Sequence, residues 1–216
     1  MGRPHRQHGV RLSGSQGDSL PTRRSRATSY SVLGLDFDGV IAINQPLTGP
    51  RLTAAQRLVR ERVARLNTIV ERTGCRVVVS STWRYNAIAG RGFGRLILAG
   101  WLREAGYRGE LAGITEAMSD ESDVGVMEGT RGGEILAWCA KQEVQPRALA
   151  VLDDLELRGA VAPVLVRTAE EVGITDADVE RVVALLLAKR PVRPWELSKA
   201  KRVSGGGALR LAQDPP

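Results

Sequence analysis

Histidine is nearly missing from this chain: the only two, His5 and His8, lie within its first eight residues. The rest of the sequence therefore cannot assemble a Ser-His-Asp triad, a Cys-His nucleophile or a histidine-ligated zinc site. Cysteine is as scarce. Cys75 and Cys139 stand far apart in apolar stretches without a C-x-x-C, and they read as buried free thiols of a reducing compartment. No apolar run approaches the roughly 20 residues that cross a bilayer. No charged-apolar-small signal opens the chain, so a cytoplasmic protein with no membrane partner is expected. A G-x-x-x-x-G-K-[ST] phosphate loop is absent, which removes a P-loop kinase. Catalysis is left with carboxylates, hydroxyls, Lys/Arg and hard metal ions.

Charge is unevenly spread. The formal net charge is +7, yet residues 31–188 carry 18 Lys/Arg against 21 Asp/Glu. The basicity belongs to the ends, where six Arg face only Asp18 in residues 1–30, and seven Lys/Arg face Glu196 and Asp214 in residues 189–216. Both ends are rich in Gly, Ser and Pro without hydrophobic periodicity. Three parts are expected: a disordered basic tail (1–30), one folded domain (31–188) and a flexible basic tail (189–216). Basic tails steer a protein toward nucleic acid, or simply solvate its ends.

Between the tails, apolar runs and helical periodicities alternate. Val32–Leu35 reads as a buried strand, followed by helical spacing from Leu52 through Val70, closed by Gly74. Val77–Val79 is a second short strand; a helix is expected over 96–105 and a strand over 111–114. A helix over 133–143 precedes the strand Ala148–Leu152, and Val164–Val166 is a further strand. A last helix has Thr175 as cap, with Asp178 three residues on. Such alternation predicts an α/β fold, a parallel sheet with helices on both faces. In such sheets ligands bind beyond the carboxyl ends of the strands.

Polar clusters fall at those ends. Asp36-Phe37-Asp38-Gly39-Val40 follows the first strand. Strand alternation would point Asp36 and Asp38 the same way, and two neighbouring anions call for a cation, with oxygen ligands favouring Mg²⁺. Ser80-Ser81-Thr82-Trp83-Arg84 follows the second strand, where hydroxyls and backbone N–H groups form an acceptor for phosphate oxygens. Arg131 stands at a helix start, unfavourable to the helix dipole and so a candidate for function. Asp153-Asp154 ends the strand after it, a second acidic pair suited to a metal. Each cluster alone reads first as a cap or a turn; four of complementary chemistry at one edge do not.

The set resembles the haloacid dehalogenase-like (HAD) superfamily, with its D-x-D-x-[TV], strand-end Ser/Thr, Lys/Arg and paired-acid motifs in order. Ser-Ser-Thr-Trp-Arg, with Trp138 before the paired acids, is similar to the HAD domain of Swiss Army Knife RNA repair proteins. That group is akin to the phosphatase part of polynucleotide kinase-phosphatase. The resemblance covers about residues 31–187 and implies a three-layer Rossmann-like fold. It also implies a Mg²⁺-dependent phosphatase, with Asp36 as nucleophile and Asp38 as acid and base. Ser81, with Ser80 the competing hydroxyl, Thr82 and Arg131 would hold the phosphate, with Lys141 an alternative cation. The metal would sit on Asp36, the Asp38 carbonyl and the Asp153–Asp154 pair. The spacings leave no room for a large cap domain. An open site would suit a phosphorylated RNA or DNA end or a nucleotide, with Trp83, Arg84 and Tyr85 near its mouth able to stack on a base or grip a phosphate. A small-metabolite or sugar-phosphate phosphatase is the alternative within enzymes. A non-catalytic nucleic-acid-binding accessory protein is the alternative outside them.

Overall fold

In a computed structural model, residues 29–44, 48, 50–88, 94–116, 131–189 and 191 are described. Five strands form one parallel sheet: β1 (Ser31–Leu35), β2 (Arg76–Val79), β3 (Leu111–Ile114), β4 (Ala148–Asp153) and β5 (Leu165–Arg167). Their order is β3-β2-β1-β4-β5. Every strand–strand pairing is parallel. Chain order runs outward from β1 in both directions, so the switch point lies between β1 and β4.

Two-residue periodicity explains the layers. Leu33 and Leu35 of β1 join Val77, Val79, Ala148, Ala150 and Leu152 in one core. Val32, Val78, Leu149 and Val151, facing the other way, build the second. The first face is covered by α2 (Arg60–Thr73), α4 (Gly94–Glu104) and α6 (Asp176–Leu187). The second takes α5 (Arg131–Ala140) and a 3₁₀ helix over Gly159–Val164. Gly34 lets α5 close onto β1, since a Cβ there would lie 3.0 Å from Ile135 Cδ1. Thr175 caps α6 in a reciprocal box with Asp178, as the sequence predicts.

Three elements depart from expectation. The helix expected from Leu52 is broken: α1 (Ala54–Arg57) stops, and Leu58 and Val59 are extended. The reason is backbone pairing, because Ile43 N–H donates to the Arg57 carbonyl (2.9 Å) and Val59 N–H to Ile41 (3.0 Å). A short helix, α3 (Trp83–Ile88), stands where the sequence pattern predicts no regular element. Helix α5 begins at Arg131 itself, two residues before the predicted start. Residues 1–28 and 192–216, which make up nearly all of the two tails, and residues 89–93 and 117–130 lie outside the described residues. No helix among the described residues is long and apolar enough to cross a membrane.

Candidate active site

Asp36 and Asp153 sit at the carboxyl ends of the adjacent strands β1 and β4, on the two sides of the switch point. Sheet hydrogen bonding fixes them, for Asp36 N–H donates to the Leu152 carbonyl at 3.0 Å. Both side chains are 1% exposed. Each carboxylate accepts one nearby backbone N–H, Phe37 on Asp36 (2.8 Å) and Leu155 on Asp153 (3.0 Å). Oxygens of Asp36, Asp153 and Asp154 all lie within 4.8 Å of one another. Burial pushes the Asp36 carboxyl up to about 7, against the pull of Arg131, with Asp153 adding repulsion. Burial raises Asp153 in the same way. Arg131 supplies the local positive charge. Its Nη1 pairs with Asp36 and lies 3.0 and 3.1 Å from the two Asp153 oxygens. Burial works against the guanidinium, but the two acids outweigh it and hold Arg131 above its ordinary pKa. Three convergent carboxylates, two of them buried, are a donor set fitted to a hard divalent cation.

The turn after β1 builds the other wall. The Phe37 carbonyl accepts the N–H groups of Val40, Ile41 and Ala42 at 3.2, 3.0 and 2.7 Å. Gly39 has φ +64°, and a Cβ there would meet Asp154 Oδ2 at 2.6 Å. Thr168 Oγ1 donates to the Gly39 carbonyl (2.8 Å), tying this turn to the end of β5. Gly39→Ala is therefore expected to cost about 1 to 3 kcal/mol from the left-handed backbone. It should also displace Asp154. Thermal melts, with and without Mg²⁺, check both effects, and an Ala variant with unchanged melts refutes them.

Residues 32–179 match the family described as the HAD domain in Swiss Army Knife RNA repair proteins. That is well over half of the 216 residues. The chain belongs to this family. No curated protein and no solved structure matches it at a significant level. Membership supports an HAD-type phosphatase, and the five-stranded parallel sheet agrees with the α/β Rossmann-like fold expected of an HAD domain.

Within this HAD domain the two acids of the first motif part company. Asp36 joins Asp153 and Asp154, whereas the Asp38 carboxylate, partly exposed, pairs with Arg57. Strand alternation does not carry through them because β1 ends at Leu35 and the turn starts at once. Arg57 is itself held, with Nε donating to the Ile43 carbonyl (2.9 Å) and its guanidinium 4.5 Å from the Trp83 ring centroid. Ser81 is buried, accepts the Trp83 N–H at 3.4 Å and pulls the Asp36 pKa down, while the buried Ser80 hydroxyl finds no partner among the described residues. Thr82 is exposed in the turn. Lys141 pairs with Glu116 at the surface, on the far end of α5 from Arg131.

Trp83 and Arg84 do not stand at an open mouth. Trp83 is 3% exposed, edge-on to Phe37 with centroids 5.1 Å apart. Arg84, also 3% exposed, spends its guanidinium on Glu134 (2.7 Å), Thr115 (2.8 Å) and the Tyr85 hydroxyl (2.9 Å). The helix α3 turns both side chains inward, which a loop would not require; Tyr85 is the half-exposed aromatic instead. Sequence reasoning missed Arg57, Thr115 and Glu134. Glu134 carried one signal, an acid in the first turn of a helix, but that reads first as dipole complementarity. Arg57 and Thr115 carried none.

Proposed function

We propose that this HAD domain is a Mg²⁺-dependent phosphomonoesterase working through an aspartyl-phosphate on Asp36, with a nucleic-acid end or a nucleotide as substrate. The observation that carries the proposal is the meeting of Asp36, Asp153, Asp154, Arg131 and Ser81 at the β1/β4 switch point. Asp36 attacks phosphorus and the ester oxygen leaves, splitting one hard displacement into two easier ones. Asp38 protonates the leaving oxygen, then takes a proton from the water that attacks the acyl phosphate. Ser81 and Arg131 hold the equatorial oxygens where charge must be stabilised. Asp36, Asp153 or Asp154 and the Asp38 carbonyl would hold Mg²⁺, whose charge offsets that of the phosphoryl group. Arg57 keeps Asp38 turned toward α1 in the free chain.

The substrate class draws on two further facts. The family is described by RNA repair proteins, and both sequence ends are basic, matched to a polyanion. Two buried free thiols fit the reducing cytoplasm. The test is phosphate release from 3′- and 5′-phosphorylated oligonucleotides, mononucleotides and sugar phosphates, with Mg²⁺ or EDTA. Preference for one class of oligonucleotide end is the expected result. Preference for sugar phosphates would move the reading to small metabolites. Inactivity on every substrate, with salt-sensitive binding to single strands, would replace the enzyme with a binding protein.

A further inference from the structure

We infer that Arg84 and Glu134 are positioning residues that hold the two phosphate-binding segments in register across the edge of the sheet. Their role rests on the phosphatase reading above, in which Ser81 and Arg131 grip one phosphoryl group. The contacts run continuously from Ser81 to Asp36. Arg84 N–H donates to the Ser81 carbonyl at 3.1 Å, and Arg84 Nη2 reaches Glu134 Oε1 at 2.7 Å. Glu134 lies three residues after Arg131 on α5, hence on the same face one turn along. Arg131 pairs with Asp36, whose carboxyl the buried Ser81 pulls down against the effect of burial. The nucleophile thus stands at the end of this run of contacts.

The ion pair is deeply buried, its side chains 4% and 8% exposed. Arg84 Nη1 also donates to Thr115 (2.8 Å), just beyond β3, so the ends of β2 and β3 and the start of α5 meet at one guanidinium. A buried pair of this kind gains little net stability, because desolvation cancels much of the attraction. What it supplies is direction. Apolar packing of α5, such as Ile135 on Gly34, is non-directional and tolerates sliding that a short charged bond does not. A shift of the first turn of α5 moves Arg131 relative to Ser81, and a misplacement of about 1 Å costs on the order of 100-fold in rate.

Two variants of the full chain test this in Mg²⁺, using p-nitrophenyl phosphate turnover and competitive inhibition by inorganic phosphate. The double variant Arg84→Met with Glu134→Leu removes both charges together and is expected to melt cooperatively near the wild-type temperature. Its kcat/KM should nevertheless fall about 100-fold, with a matching weakening of inorganic phosphate inhibition. Glu134→Gln keeps an acceptor for Arg84 and should fall between, and it carries the test alone if the double variant does not fold. On an Arg131→Lys background the Glu134→Gln loss should largely vanish, since residues acting through one another are non-additive. Wild-type kcat/KM and phosphate inhibition in both variants overturn the positioning role. So does an equal loss on both backgrounds, which marks a general structural effect. A wild-type chain that neither hydrolyses phosphomonoesters nor binds phosphate overturns the phosphatase reading instead, and the positioning role falls with it.

Discussion

Asp36→Asn is expected to abolish phosphomonoester turnover and, at the same time, to stabilise the metal-free chain above pH 7. The first effect follows from the proposed chemistry: an amide cannot form the acyl phosphate, so a loss of at least about 10⁴-fold is anticipated for removal of a nucleophile. The second follows from electrostatics. Burial, with repulsion from Asp153, raises the Asp36 carboxyl from 3.8 to about 7 despite Arg131, Ser81 and the Phe37 N–H. A raised carboxyl means that the folded chain binds its proton more tightly than the unfolded one. Stability from this group is therefore full below about pH 4, falls as pH rises toward 7, and is constant above it. Each pKa unit is worth about 1.4 kcal/mol, and water reaching the site lowers the total further. Asparagine is neutral at every pH, so the Tm difference between variant and wild type should grow between pH 4 and 7 and then level off. Melts in EDTA across that range check it. A variant that is active, or less stable than wild type at pH 8, contradicts the assignment of Asp36 as a buried nucleophile.

The fold and most of the site could be read from the residues because period and position carry them. Val32–Leu35, Val77–Val79 and Ala148–Leu152 are apolar on both alternating faces, which only a covered parallel sheet accommodates. Asp36 and Asp153 were legible because four clusters of complementary chemistry fall in order at one edge of the sheet, although each acid alone reads as a cap. What stayed hidden depends on distant partners. The break at Leu58 and Val59 has no local cause, since both residues suit a helix; it exists because Ile43 takes the Arg57 carbonyl and Ile41 takes the Val59 N–H. The same pairing brings Arg57 to Asp38, so one missed break concealed one missed site residue. Arg84 was misplaced for a similar reason. A charged residue beside a phosphate-binding hydroxyl reads as a ligand contact, and only the fold reveals that Glu134 and Thr115 wait for it in the interior.

Chelation should be as damaging as the loss of Asp36. With EDTA, turnover is expected to drop to background and to return on adding Mg²⁺. Ca²⁺ should restore much less, because it seeks 6–8 oxygens at longer distances than a compact site provides. Binding also has a signature independent of activity. A ligand that binds only the folded state stabilises it by about 2.7 kcal/mol at 100 times its dissociation constant, so Mg²⁺ should raise Tm measurably at pH 8. The pH dependence has a definite sign. Metal binding requires ionised carboxylates, and Asp36 holds its proton up to about 7, so the Mg²⁺-induced rise should shrink as pH falls from 8 to 6. Asp153→Asn should remove the rise more completely than Asp154→Asn. Asp153 is 1% exposed and is brought by sheet pairing next to Asp36, whereas Asp154 is only partly buried and leans on Gly39 from one side. Full activity in EDTA, or a Tm insensitive to Mg²⁺ at pH 8, would show that Arg131 alone balances these acids. The site would then bind phosphate without a metal, and Asp153 and Asp154 would serve to position Arg131 rather than an ion.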